Sequence, residues 1–422
     1  MKCTAGQKKQ DYIWNTAAGL INAAEAVVMS MFVTRMTGLA DAGILSIAFT
    51  IGNQLMPIGK FGIHSYQVTD VGERFPFAVY LKSRIVTTFL MIVSTFVYLL
   101  YGNIYLGYSR DKVGVILAVC LIYTVEAVED VIWGYYQHRD RLYVGAELFC
   151  YRWLGILLVF PIVLYFSRNL GFTLQLCFAL SVIIFAVLLK LTFRAVSGEA
   201  AGLVGSIRKD DLKEIGVLLK IAFPLFGITF LSFYVNSASK YAIDACLNDE
   251  IQACYGFVAM PVFAIGLVNN FIYQPVLVPM AMEWEQKQTD RFTARIIRQL
   301  MIIAGISVVC IAGAYVLGIP VLSMLYHTDL SAYKRELLIL LLAGGCLAGS
   351  GYLSVVLTIM RCQRSLLWPY CLVAIMAFIG LKRIVSMYGT IGAAVCYLFL
   401  MALLCIIYGI ILIYRLMSHE IF

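Results

Sequence analysis

Several ionisable side chains of this sequence lie inside long apolar runs. The clearest case is Glu25, which stands with Asn22 in the run NAAEAVV. An ionised group at the centre of a bilayer costs at least about 2.5 to 3.5 kcal/mol on insertion scales, so it needs a partner, a wet cavity or a proton. A carboxylate in such a place can take up a proton or a sodium ion. Glu25 is therefore a candidate for ion coupling, and the alternative is that it only holds helices together.

The segment EAVED places three carboxylates on one face of a helix. Glu126, Glu129 and Asp130 stand at positions i, i+3 and i+4, so they repel one another unless cations or protons intervene. Counting outward from the short loop that follows puts Asp130 at about the depth of Arg152 on the next helix, which predicts a buried ion pair. We interpret Glu129 and Asp130 as a brace between helices. The deeper Glu126 is a second coupling candidate.

Basic and amide side chains offer a second chemistry. Lys60, Arg84 and Lys220 each lie within about two turns of a predicted cytoplasmic helix end, so they either snorkel to the surface or line a wet vestibule. Together with Arg152, cations in a vestibule would bind phosphate. The other candidates for a substrate cavity are the amides Asn236, Asn269, Asn270 and Gln274.

The composition shows that these residues belong to a membrane protein. The chain has 422 residues, of which 62% are hydrophobic and 13% are charged, and its mean hydropathy is +0.87. Soluble domains carry roughly 25% charged residues. A spanning helix needs about 20 apolar residues, so the chain has room for about twelve crossings and little else.

The apolar runs, divided at charged and Gly/Asn/Asp clusters, predict two sets of helices. The first set lies near residues 13–36, 42–63, 81–101, 113–137, 143–166 and 172–194. The second set lies near residues 215–239, 251–282, 296–325, 335–360, 366–386 and 390–415. The predicted domains are a six-helix bundle at 1–194, a cytoplasmic linker at 195–214 and a second bundle at 215–422.

The charge distribution predicts the orientation. With both termini cytoplasmic, about 20 Lys and Arg fall on the inside and about 9 on the outside. This bias accounts for the net charge of +8 without a nucleic-acid partner. The basic start and long apolar run of the N-terminus predict a retained first span.

The sequence motifs argue against an enzyme. The chain has no Walker lysine motif, HExxH, GxSxG or Asp-rich metal cluster, and the predicted outside loops are short. Its 12 cysteines form no CxxC pair and lie scattered through apolar stretches, as small hydrophobic residues do. No metal or cofactor is expected, apart from coupling to a sodium or proton gradient.

Four strings carry a resemblance to a known family. They are FVTRMTGLADAGILSIAFTIG, KFGIHSYQVTDV, VEDVIWGYYQHRDRLYVGAELF and SASKYAIDACLNDEIQACYGFVAMPV. With the layout of the helices, they resemble the polysaccharide flippases, the Wzx-type branch of the multidrug, oligosaccharidyl-lipid and polysaccharide export superfamily. None of the strings is a catalytic signature.

The resemblance implies a fold and a function. The fold is an all-α membrane protein of about twelve helices, in two six-helix bundles that form a V around a central cavity. The function is alternating-access flipping of a polyprenyl-diphosphate-linked oligosaccharide across a bacterial cell membrane, for surface polysaccharide synthesis. The implied partners are membrane lipids, the lipid-linked glycan, and a polysaccharide polymerase with its assembly machinery.

Two alternatives stay open at this point. A multidrug and toxin exporter of the same superfamily would have the same fold, an organic-cation substrate and sodium or proton coupling. Such an exporter needs a net acidic lining, whereas the embedded residues here mix both signs. A membrane-embedded glycan polymerase or acyltransferase, or a non-transporting scaffold, is a weaker alternative.

Overall fold

The structure is a computed structural model that describes residues 5–70, 72–196, 209–273 and 276–420. Throughout these residues the regular structure is helical, without a strand. This follows from the apolar sequence, because a backbone in hydrocarbon must satisfy its own hydrogen bonds and a helix does so within one segment.

The chain divides into two compact units, Met1–Phe230 and Leu231–Phe422. The first unit contains α1 (Ala5–Met36), α2 (Leu39–Lys60), α3 (Ile63–Thr69), α4 (Phe77–Tyr105), α5 (Arg110–His138), α6 (Leu142–Ser167), α7 (Leu170–Val196) and the first part of α8 (Lys209–Cys246). The predicted linker at 195–214 falls largely on residues outside the described ranges, so the predicted domain limits stay predictions.

The second unit continues from α8. Its other helices are α9 (Asp249–Tyr273), α10 (Leu277–Glu285), α11 (Thr289–Gly313), α12 (Ile319–Tyr326), α13 (Lys334–Ile359) and α14 (Leu367–Glu420). A π-helical turn, Ala314–Gly318, joins α11 to α12 into one long path. Gly389, at φ 60° and ψ −143°, interrupts α14 between the two helices predicted there.

The predicted second helix, 42–63, is wrong at its end. Helix α2 stops at Lys60 because Phe61 (φ 47°) and Gly62 (φ 69°) adopt left-handed backbone conformations, and the separate short helix α3 follows. The predicted helix at 251–282 is likewise divided, into α9 and α10. The predicted helix at 296–325 corresponds to α11, the π-helical turn and α12 together, and the remaining predicted helices each coincide with an observed helix or half-helix.

Helix α5 is the central helix of the first unit. It packs against α2, α4, α6 and α7. Among the described residues nine helices are long and apolar enough to cross a membrane, and α5 is not one of them. Glu126 and Glu129 of α5 are buried, while α4, α6 and α7 expose large apolar side chains such as Phe96, Leu158 and Ile183.

Candidate functional site

The carboxylates of α5 lie in a buried network of charges that joins α2 to α7. On one side, Arg84 of α4 donates from Nη2 to Asp130 Oδ2 over 2.6 Å and from Nη1 to the carbonyl of Gly59 over 2.5 Å. The side chain of Arg84 is fully buried. It therefore does not snorkel, although its position near a helix end permits that interpretation.

On another side of α5, Arg152 of α6 binds Glu129. Its Nε and Nη2 donate to the same Oε2 over 3.0 and 2.7 Å, and Nη1 donates to Ser181 Oγ of α7 over 3.3 Å. The predicted pair of Arg152 with Asp130 is wrong. Neighbouring residues of a helix point about 100° apart, so Glu129 reaches α6 while Asp130 reaches α4.

Lys60 completes the set of ion pairs. Its Nζ lies 3.1 Å from Glu126 Oε1 and 4.0 Å from Asp130 Oδ1, and its side chain is 34% exposed. The second oxygen of Glu126 lies 3.7 Å from Arg152 Nη2. Each of the three α5 carboxylates thus has a cation from a neighbouring helix, which is the geometry that a brace requires.

His64 belongs to the same network, and the sequence analysis did not single it out. Its Nδ1 lies 2.9 Å from the carbonyl of Asp130 and 3.4 Å from Oδ1, and its Nε2 lies 3.0 Å from Gln137 Oε1. The residue sits on α3, outside the candidate spans. Burial by itself lowers the pKa of His64, but the hydrogen bond and charge of Asp130 raise that pKa above its ordinary value. The only available signal was its place in the string KFGIHSYQVTDV.

Glu25 differs from the carboxylates of α5. It is 3% exposed, and the Tyr123 hydroxyl donates to its Oε1 over 2.9 Å. Its Oε2 is buried without a hydrogen-bond partner. Within the described ranges, no cation lies at ion-pair distance from Glu25. Tyr123 was also missed by the sequence analysis, because a tyrosine in an apolar helix is an ordinary core residue.

The network borders a cavity of about 290 Å³ in the first unit. The cavity is lined by Asn15, Ala18, Gly19, Asn22, Lys60, Glu126, Glu129, Asp130, Trp133 and Phe149. Helix α1 thus contributes amides, while α5 contributes three carboxylates against the single cation Lys60. The lining mixes polar and apolar residues, and its charged residues are predominantly acidic.

The other predicted cavity residues do not join this cluster. Lys220 lies on α8 with an exposed side chain. Asn236, in the second unit, donates to Ser232 Oγ over 3.4 Å. The side chains of Asn269 and Asn270, and the whole of Gln274, fall outside what the structure describes.

Comparison with known proteins identifies the fold. No family model and no curated protein matches the sequence. An inward-facing multidrug resistance MATE family transporter of the MOP superfamily superimposes with a TM-score of 0.70 at 12% identity, over 96% of this chain and 95% of its own. The eukaryotic MATE transporter AtDTX14 gives a TM-score of 0.63 at 13% identity, over 97% and 96% of the two chains.

A third similar structure is a MOP superfamily transporter from Pyrococcus furiosus, described as having a binding pocket of reverse polarity that suggests a different function. Its TM-score is 0.52 at 14% identity, over 98% of this chain and 94% of its own. At these identities the similarity shows the fold alone. The chain has the fold of the MATE transporters, a multi-pass membrane fold of twelve helices in two bundles, and the proteins that share it here are transporters and not enzymes.

Proposed function

We propose that this protein is an ion-coupled exporter that works by alternating access, and that Glu25 takes up the coupling proton. The observation that carries the proposal is the charge balance of the buried network. Glu25 is the one carboxylate of the network without a cation at ion-pair distance among the described residues. The structural neighbours include inward-facing and outward-facing forms of MATE family transporters, which supports alternating access.

A buried carboxylate without a cation is unfavourable as an anion, so a proton or a cation occupies it for much of the time. The Tyr123 hydroxyl stabilises the ionised form by its hydrogen bond. Losing the proton adds one negative charge beside Glu126, which raises the electrostatic energy of the closed packing of α1 against α2 and α6. Proton binding and release at Glu25 therefore bias the position of α1, which is what coupling requires.

For the transported substrate we propose an organic cation. The cavity beside the network is predominantly acidic. Three of the four cations predicted to bind phosphate, Lys60, Arg84 and Arg152, are already engaged by carboxylates. A diphosphate would have to displace those carboxylates, whereas ionised Glu25, which has no cation at ion-pair distance among the described residues, gives the network one excess negative charge that favours a cation. The multidrug assignment of the structural neighbours supports the same choice.

The test is transport of a fluorescent organic cation into proteoliposomes under an imposed pH gradient. We expect Glu25→Gln to fold normally, because the amide keeps the shape and accepts the bond from Tyr123, and to lose the response to the gradient. Glu147→Gln is the matched control, since Glu147 is a half-buried carboxylate of α6 outside the network. Transport by Glu25→Gln that still follows the gradient would exclude Glu25 as the coupling group.

A second candidate is the flippase of lipid-linked oligosaccharides. Lys220 stays exposed, and three arginines line a cavity in the second unit, so cations for a diphosphate exist outside the acidic cluster. The Pyrococcus furiosus transporter, with its pocket of reverse polarity, shows that the fold is compatible with more than one pocket charge. In this case the partners would be the glycan lipid and the polysaccharide polymerase machinery, in a bacterial cell membrane with both termini cytoplasmic.

The distribution of lipid-linked oligosaccharides between the two membrane leaflets distinguishes the two candidate functions. Lipid-linked oligosaccharides are extracted from cells that lack the protein, and the fraction that an external glycosidase can reach is measured. Protected precursors that accumulate while surface polysaccharide disappears would establish the flippase. Balanced precursors together with increased sensitivity to cationic drugs would establish the exporter.

A further inference from the structure

The second unit contains a cavity with the opposite charge. It has a volume of about 520 Å³ and lies between α10 and the first turns of α11. Its lining consists of Val276, Glu283, Arg291, Ala294, Arg295, Arg298, Gln299 and Ile302. Three arginines thus face one carboxylate, which leaves an excess of positive charge.

The spacing of the arginines places them in one row. Arg291, Arg295 and Arg298 stand at i, i+4 and i+7 along α11, so they project from one face. This arrangement is unfavourable for the helix itself, because the N-terminal end of a helix already carries partial positive charge. Cations at that end gain no stability from the helix, and an anion bound there would interact with both the arginines and the helix end.

Only one of the arginines is neutralised. Arg295 donates from Nε to Oε1 and Oε2 of Glu283 on α10 over 3.0 and 2.9 Å, and its Nη2 donates a further short hydrogen bond to Oε1. Arg291 contacts the amide oxygen of Gln288 over 3.2 Å. Among the described residues no carboxylate pairs with Arg291 or Arg298, and both side chains are exposed.

Gln299 is a second and independent sign of a ligand. It lines the cavity, it is 4% exposed, and its side-chain Nε2 has no hydrogen-bond partner. A buried N–H donor without an acceptor is unfavourable, because it loses its hydrogen bonds to water without replacing them. The donor lies beside the arginines, so a bound oxyanion would satisfy all of these groups together.

The position of the cavity along the helix indicates where the anion comes from. The path from Thr289 to Tyr326 has 38 residues, which is about 57 Å of helix against a hydrocarbon core of about 30 Å. Met301, just beyond the arginines, and Val308, about two turns further along, are exposed apolar side chains. The arginine row therefore lies at the level of the lipid headgroups, and Ile302 is an apolar residue of the lining one turn beyond Arg298.

We propose that this cavity binds the phosphate group of a membrane lipid, with Arg291 and Arg298 as the main charge partners and Gln299 as a buried donor. An amphiphile fits both ends of the cavity, since its phosphate meets the arginines and its chains meet Ile302 and the adjoining apolar surface. By the charge bias of the loops, the site faces the cytoplasmic leaflet. The proposal does not depend on the transported substrate.

Tryptophan quenching by brominated lipid tests the proposal. Trp284 of α10 lies next to the site, with its ring 5.1 Å from that of Phe292. The full-length chain is reconstituted in phosphatidylcholine vesicles that contain a small fraction of brominated phosphatidylglycerol or, for comparison, brominated phosphatidylcholine. We expect phosphatidylglycerol to quench more strongly, and Trp284→Phe to remove that excess.

The double variant Arg291→Gln/Arg298→Gln should raise the half-saturating fraction of phosphatidylglycerol by roughly 25-fold, since each cation near a lipid surface contributes about a fivefold factor. Gln299→Leu should raise it by about threefold. The matched control, Lys190→Gln/Lys213→Gln, removes two exposed cations from the same predicted side and should leave the fraction unchanged. Unfolding temperatures of all variants verify that they fold.

Three results would overturn the proposal. The first is equal quenching by the two brominated lipids. The second is an arginine variant that binds like the wild type. The third is stabilisation of the detergent-solubilised chain by inorganic pyrophosphate, dependent on Arg291 and Arg298, without excess quenching by phosphatidylglycerol, because the site would then bind free phosphate.

Discussion

The two units of this protein use charge in opposite ways. In the first unit, Arg84 and Arg152 are fully buried and each is paired with a carboxylate of α5. In the second unit, Arg291 and Arg298 are exposed and lack a carboxylate partner among the described residues. A buried charge is stable only when an opposite charge pairs with it. A charge at the membrane surface is solvated by water, so it can remain unpaired and be available to bind a ligand. Pairing thus separates residues that hold helices together from residues that bind.

The largest effect should come from breaking a buried pair. Arg152→Met removes the cation from Glu129, which is 1% exposed. The uncompensated carboxylate should destabilise the first unit by about 3 to 5 kcal/mol, observed as a loss of membrane-inserted protein and a lower unfolding temperature. The control is Lys220→Met, which removes an exposed cation.

A second substitution at Glu129 tests whether the loss of stability in Arg152→Met comes from the broken ion pair. Arg152→Met combined with Glu129→Leu removes both charges and should restore most of the stability, because a well-packed apolar pair is often as stable as a buried ion pair. A double variant as unstable as Arg152→Met alone would show that packing of the arginine, and not its charge, is the important contribution.

A smaller effect should come from His64, at the edge of the network. Its pKa is raised because Asp130 favours the protonated ring more than burial opposes it. The stabilisation is therefore complete below the unfolded pKa of about 6.5 and is lost as the pH rises through the folded pKa. Lys60 and Arg84 also contact the same Asp130.

We expect the unfolding temperature of the wild type to fall relative to that of His64→Gln as the pH rises above about 6.5, the ordinary pKa of histidine. If the unfolding temperatures of both proteins depend on pH to the same extent, the pH dependence belongs to another group. The substitution keeps a polar side chain that can still bond the Asp130 carbonyl, so the comparison isolates the charge.

The smallest loss of stability should come from breaking an ion pair at the membrane surface. Glu283→Gln weakens the pair with Arg295, whose side chain is 38% exposed. Because water can solvate Arg295, the loss of stability should stay within about 1 kcal/mol. The variant also raises the positive charge of the cavity, so the quenching assay should show tighter binding of phosphatidylglycerol. A loss of stability like that of Arg152→Met would contradict the contrast between the two units.

The sequence by itself determined much of this protein. The apolar runs predicted an all-α membrane fold of about twelve helices, because a spanning segment of about 20 residues must satisfy its backbone within one helix. They also identified Glu25 and the carboxylates of the EAVED segment as charges that are unfavourable in the membrane. This unfavourable free energy follows from the type of residue and its depth in the bilayer. The preference for a flippase rested on family strings, whereas the exporter proposed above rests on the charge balance of the first unit.

The tertiary structure alone decided the partners. Counting residues from the loop placed Arg152 at the depth of the carboxylates of α5, but it could not decide whether Arg152 pairs with Glu129 or with Asp130. The direction of a side chain depends on how each helix is rotated against its neighbours. His64 and Tyr123 entered the site for the same reason, as ordinary residues that packing brought beside Asp130 and Glu25. Which carboxylate lacked a cation was therefore a property of the packed helices and could not be read from any one of them.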